Sequence, residues 1–180
     1  LHGNSGAVGY LLLQGPLSPS PGDTARFADR LVPGMINVPF TAFTMYANGI
    51  IPFLDPALGT PVGAVELRNN ATGSYARHGP FIDPHTGDTT KLMLAGDPVT
   101  GTGWLDRDNL SPGDRRFLAS SGPFTLAVGD TQEVIYARIA AEGGTPAEDI
   151  VALRETADCI VRTYRDTPLR TGSIQPSMDF

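Results

Sequence analysis

The sequence predicts a mainly β fold, sandwich-like and rich in loops, with one amphipathic helix near the C-terminus. Three observations carry this. Short apolar runs recur between turns rich in glycine and proline, of which the chain has 21 and 16. Residues 133–141 are apolar on both alternating faces, as in a strand covered on each side. Residues 145–165 begin with a capping signal and continue with an apolar stripe at helical spacing.

Taken in order, residues 8–14 read as a strand that ends at Gly15-Pro16. Residues 18–23, Ser-Pro-Ser-Pro-Gly-Asp, read as a turn-rich loop. Residues 38–47 alternate, with Phe40, Phe43 and Tyr46 as expected core aromatics, and Asn48-Gly49 is a turn signal. Prolines 52, 56 and 61 disfavour a regular element across residues 50–61, and residues 64–68 read as a short strand or a helical turn. Residues 81–94 form a hairpin pattern around Asp83-Pro84-His85-Thr86-Gly87. The same Asp-Pro-x-Thr-Gly pattern returns fourteen residues later at Asp97. Residues 116–120 and 124–126 are strand-like. In the predicted helix Thr145 caps, Pro146 takes the first position and Glu148 completes the capping box. Ile150, Leu153, Ala157, Val161 and Tyr164 make its apolar stripe, and the helix stops before Pro168.

At 180 residues the chain fits one β-rich module, residues 1–180, with 166–180 as a linker or tail. A chain of this length buries roughly two-thirds of its unfolded surface, so a core forms without disulfide or metal. The net charge of −6 and the lack of a basic cluster argue against nucleic acid as a partner. The apolar run at residues 8–13 is too short to span a membrane as a helix. Cys159, the only cysteine, falls in the helical pattern and reads as a small buried hydrophobe.

The residues that could carry chemistry concentrate at 94–114. Asp97, Asp106, Asp108 and Asp114 are the densest carboxylate group, and calcium favours several oxygen ligands on a flexible loop. Asp106, Asp108 and Asp114 are therefore candidate calcium ligands, calcium being the only cofactor suggested, although turn capping explains aspartates here equally well. Trp104 reads as a core residue or as a stacking platform, giving a candidate binding set of Trp104, Asp97 and Asp106. Two carboxylates across a cleft would suit glycoside hydrolysis. Gly3-Asn4-Ser5-Gly6 lacks the context of a nucleophile loop, and His2, His78 and His85 show no metal-ligand spacing. Asn70-Ala71-Thr72 fits a glycosylation sequon.

Several blocks occur in one order: Gly9-Tyr10, Gln14-Gly15-Pro16, Pro21-Gly22-Asp23-Thr24-Ala25, Asn37-Val38-Pro39-Phe40-Thr41-Ala42-Phe43, and residues 96–104. Gly113-Asp114-Arg115-Arg116, Ser121-Gly122-Pro123-Phe124-Thr125-Leu126 and Gly129-Asp130-Thr131-Gln132-Glu133-Val134 follow. From about residue 8 to 164 the chain resembles a region of large secreted proteins of Bacteroidetes, which often end in a type IX secretion sorting domain. Residues 61–79 depart from that pattern and read as a variable loop. The resemblance implies a segment of a larger exported protein, secreted or at the cell surface, and assigns no activity. It leads to the expectation of a non-catalytic structural or adhesive module, self-assembling or glycan-binding, whose partners are other copies, neighbouring domains or glycan. The alternative is a domain of a secreted hydrolase acting on polysaccharide or protein through carboxylates around Asp97–Asp114. Asp23-Thr24-Ala25 resembles the short O-glycosylation motif of such bacteria, which marks Thr24 as a modification site.

Overall fold

Alternating apolar runs cut by prolines and glycines give many short strands, and the chain folds accordingly. The computed structural model describes residues 6–108, 110–111 and 113–167. Its elements are β1 (Ala7–Gln14), β2 (Leu17–Phe27), β3 (Arg30–Asn37), β4 (Phe40–Ala47), α1 (Pro61–Ala71) and β5 (Ser74–Tyr75). β6 (Gly79–Ile82), β7 (Thr89–Thr90), β8 (Arg115–Ser121), β9 (Ile135–Ala141) and α2 (Pro146–Asp166) follow. The strands form small antiparallel sheets ordered β1–β9, β2–β3, β4–β8 and β5–β6–β7. The fold is mainly β, with an amphipathic helix near the C-terminus.

The helix start lies where the capping signal places it. Thr145 has extended backbone and its side chain accepts from the Glu148 amide, while Pro146 takes the first turn. One face of the β1–β9 sheet lies under α2. Gly9, opposite Ile139 in register, lies close under the helix: a Cβ there would stand 3.1 Å from a Leu153 methyl. The β2–β3 hairpin is tied to the same unit by polar contacts. The Arg26 guanidinium donates to the Tyr164 carbonyl at 2.7 Å and lies 4.7 Å from that residue's ring centre, and the Ala28 amide donates to Glu133, which also accepts from buried Gln14.

The core lies beside β4. Met45, Ala47, Phe53, Phe81, Met93 and Trp104 bury one another, with Phe43, Tyr75, Leu94 and Leu110 packed around them. The β5–β6–β7 sheet joins this core through Phe81, whose ring meets Tyr75 edge-on at 4.9 Å. On the other face of β4, the Thr44 hydroxyl donates to the Asn70 carbonyl and the Tyr46 hydroxyl to its side-chain oxygen. Burial and the nearby Asp55 charge push the Tyr46 phenol up to about 12.

Several expectations change. Residues 61–79, read as a loop, hold α1, β5 and the start of β6. Pro61 is the first helical residue and not a breaker, because Thr60 caps the Gly63 amide at 2.9 Å. Gly63 sits so close to the Ala57 carbonyl that no side chain fits. Residues 18–23 lie within β2, and the ladder breaks between Pro19 and Thr24, where prolines supply no amide. Residues 124–126 belong to no strand. Among the described residues β9 pairs with β1 alone, and its Tyr136, Arg138 and Ala140 face is exposed, so it is not a central strand covered on both sides. Among the predicted core aromatics Tyr46 is buried, Phe43 half-buried and Phe40 exposed. Cys159 is exposed, because the α2 stripe that meets the sheet passes beside it. Of the predicted tail, residues 168–180 lie outside the described residues, as do His2 and Gly3-Asn4-Ser5.

Candidate functional site

The 96–104 loop is a closed turn built on Asp97. The Asp97 amide donates to Thr102, its carbonyl accepts from Gly101, and its carboxylate accepts from the Val99 amide at 3.0 Å. Gly96 closes the base by donating to Trp104. A Cβ at Gly96 would stand 2.6–2.7 Å from the carbonyl oxygens of Thr102 and Trp104. Trp104 itself is 2% exposed, with an indole nitrogen that finds no hydrogen-bond partner among the described residues. It is an anchor of the core and presents no face for stacking a ligand.

The carboxylates are taken up singly. Asp97 accepts from Arg154 on α2 at 2.7 Å; this bond, then the Val99 amide, holds its carboxyl below the ordinary 3.8. Asp106 receives Arg115 Nε at 3.0 and 3.2 Å on its two oxygens. Asp108 accepts from the Leu105 amide at 2.8 Å and lies 3.2 Å from the His85 ring nitrogen. Asp114 lies 3.2 Å from Arg116, which also meets Asp55 at 3.0 Å. The sequence-predicted acids thus cap turns and pair with cations. Among the described residues no three His, Cys, Asp or Glu side chains gather as a metal-binding group. Thr24 is exposed on β2, opposite Pro33 in the register. Asn70 is 1% exposed with its amide donating to Ser74, which leaves that sequon inaccessible in the folded chain.

The feature that stands open is apolar. The β1–β9 and β4–β8 sheets meet through the Tyr10 and Phe117 rings, edge-on at 5.5 Å, and Phe117 in turn stacks on Phe43 at 5.5 Å. Beside this contact run two adjoining cavities of about 430 and 540 Å³ that share Tyr10, Phe40, Phe117 and Ala119 as walls. Leu12, Val134 and Tyr136 extend the lining on one side, Phe43 and Leu92 on the other, and no charged side chain takes part. Tyr136 is 65% exposed and Phe117 50%. Arg138 reaches the rim, 6.0 Å from the Tyr10 ring centre.

Sequence reading missed this groove, though one signal for it was visible. Tyr136 and Arg138 on β9, with Val134 just before it, form the second face of the predicted strand, and that face is open where a covered strand was expected. Which sheet stood opposite depended on long-range pairing that no local pattern encodes. No helix among the described residues is long and apolar enough to cross a membrane. No protein-family model matches the chain, and no curated protein or solved structure matches it at a significant level.

Proposed function

We propose that this chain is a non-catalytic structural module of an exported bacterial surface protein, and that it assembles with a second copy through the groove between its two-stranded sheets. The exposed, uncharged aromatic lining carries this reading. At ~150–250 Å² per aromatic side chain, the open parts of Tyr10, Phe40, Phe117, Phe124 and Tyr136, with Val8 and Val134, present on the order of 600 Å², against the ~800 Å² per partner of a standard interface. Apolar patches of this size mark interaction surfaces more often than they occur idly. The lack of charge favours an apolar partner, and a twofold pairing sets the aromatic lining against itself. Among the described residues β1 has a single ladder partner, whereas residues 91–93 take up the second edge of β4 at Phe43, so the strand edge left open to pairing between copies is that of β1. Export and bacterial origin rest on the ordered sequence blocks that resemble secreted Bacteroidetes proteins. An acid–base reading of Asp97, Asp106, Asp108 and Asp114 draws no support from their separate pairing.

The test is the molar mass in solution as protein concentration rises, read by light scattering after size exclusion. The parent chain is expected to move from monomer towards dimer, and Tyr136→Ser with Phe117→Ser to stay monomeric. A parent that remains monomeric throughout would remove the proposal.

A further inference from the structure

A second groove, of about 340 Å³, lies between the end of α1 and the end of β8. Arg68 and Lys91 line it together with Thr41, Thr72, Ser120 and Ser121, and Phe124 forms one wall. Among the described residues no carboxylate lines it, in a chain of net charge −6 where several other arginines are paired with acids.

Lys91 is held at its backbone and stem, and Arg68 is an exposed residue of the last turn of α1. The Lys91 carbonyl accepts from the Phe43 amide at 3.0 Å, which fixes its backbone to β4. Its stem passes Gly73 so closely that a Cβ there would stand 2.6 Å from Lys91 Cβ and Cγ. The carbonyls at the end of α1 do not compete for these cations, because the amides of Thr72 and Gly73 occupy those of Arg68, Asn69 and Asn70.

Three of the four hydroxyls make the same kind of bond. Thr41 donates to the Ser120 carbonyl, Thr72 to the Arg68 carbonyl and Ser121 to the Val38 carbonyl. Each donor is spent on the chain's own backbone, so what these oxygens offer a ligand is lone pairs. A fitting ligand therefore needs anionic groups for Arg68 and Lys91 and hydroxyl donors for the acceptors beside them. Phe124 adds an apolar wall for a sugar ring. A bare phosphate ion supplies the charge without hydroxyls in number, and a neutral sugar supplies the hydroxyls without the charge.

From these features we infer that this groove binds an acidic saccharide, one bearing carboxylate or sulfate groups. The groove shares Ser121 and Phe124 with the aromatic patch, so binding is measured at concentrations where the chain is monomeric. Oligogalacturonate and sulfated dextran fragments serve as probes for the two kinds of anion, with neutral dextran and polyglutamate as controls, and binding is followed by calorimetry. At least one acidic saccharide is expected to bind, at least tenfold more weakly to R68Q/K91Q, while Arg162→Gln, an exposed cation on α2, leaves binding unchanged. Lys91→Met keeps the stem beside Gly73 and should also weaken binding, separating charge from packing. The inference is overturned if neither acidic saccharide binds, if R68Q/K91Q binds as the parent does, if Arg162→Gln weakens binding equally, or if polyglutamate or neutral dextran binds as tightly.

Discussion

Two aromatic clusters lie side by side in this molecule and differ in what covers them. Around Trp104, the chain closes on itself: Met45, Phe53, Phe81 and Met93 surround the indole, and the 96–104 turn seals one end. Around Phe117, a comparable set of rings stands half in solvent, because each neighbouring sheet has only two strands and neither extends across the groove. Phe43 touches both clusters, packing against the core on one side and stacking on Phe117 on the other. The difference teaches that aromatic content does not mark the core here. Enclosure does, and it depends on which segments the topology brings over a given face.

Substitution should separate the clusters most sharply. Trp104→Ala is expected to cost about 3–5 kcal/mol, as for large-to-small changes at enclosed aromatics, whereas Tyr136→Ser should stay within about 0.5 kcal/mol. Urea unfolding of the two variants under conditions where the parent is monomeric measures both, and equal losses would erase the distinction. Next in size, Gly96→Ala should cost about 1–3 kcal/mol, because the added methyl meets the carbonyls that close the turn below Trp104. The same denaturation series reads it, and an unperturbed midpoint would mean the turn is not what seals the core.

Acid should loosen the struts that flank the closed cluster. Arg77, then the Ala57 amide, lower the Glu66 carboxyl from its ordinary 4.5, and Arg154 with the Val99 amide lowers Asp97 from 3.8. Both folded-state values lie below those of the unfolded chain, so their contribution is present above the ordinary values and lost as pH falls through the folded ones. The melting temperature is expected to decline as pH drops below about 4.5, and less steeply in the double variant Glu66→Gln, Asp97→Asn. Matching slopes would show that these pairs add nothing. The smallest effect concerns Cys159, whose thiol should react with a chromogenic disulfide in the native protein without a change in stability.

Much of the fold was legible because its signals are local. The Thr145-Pro146-Ala147-Glu148 start marked α2 to within a residue, β1 followed from an apolar run ended by Gly15-Pro16, and β4 from alternation before the Asn48-Gly49 turn. The Asp83 and Asp97 turns make the same bonds, from carboxylate to the second amide on and from carbonyl to the fourth, as their shared Asp-Pro-x-Thr-Gly pattern implies. α1 was harder to see, because Pro61 has opposite meanings at the first turn of a helix and inside one, and only the Thr60 cap decides between them. The acidic candidates were misleading for a different reason. Spacing revealed the aspartates, and Arg116 beside Asp114 is a local ion pair, but Arg154 and His85, which meet Asp97 and Asp108, lie 57 and 23 residues away in the chain. The aromatic groove was least visible, being formed by strands more than a hundred residues apart.

The melting temperature measured against protein concentration tests the open cluster most directly, since association with the folded state stabilises it by mass action. The parent is expected to melt at higher temperature as concentration rises, and Tyr136→Lys to melt at one temperature throughout, equal to that of the dilute parent. A concentration-independent parent, or a variant that rises in parallel with it, would contradict assembly through the groove.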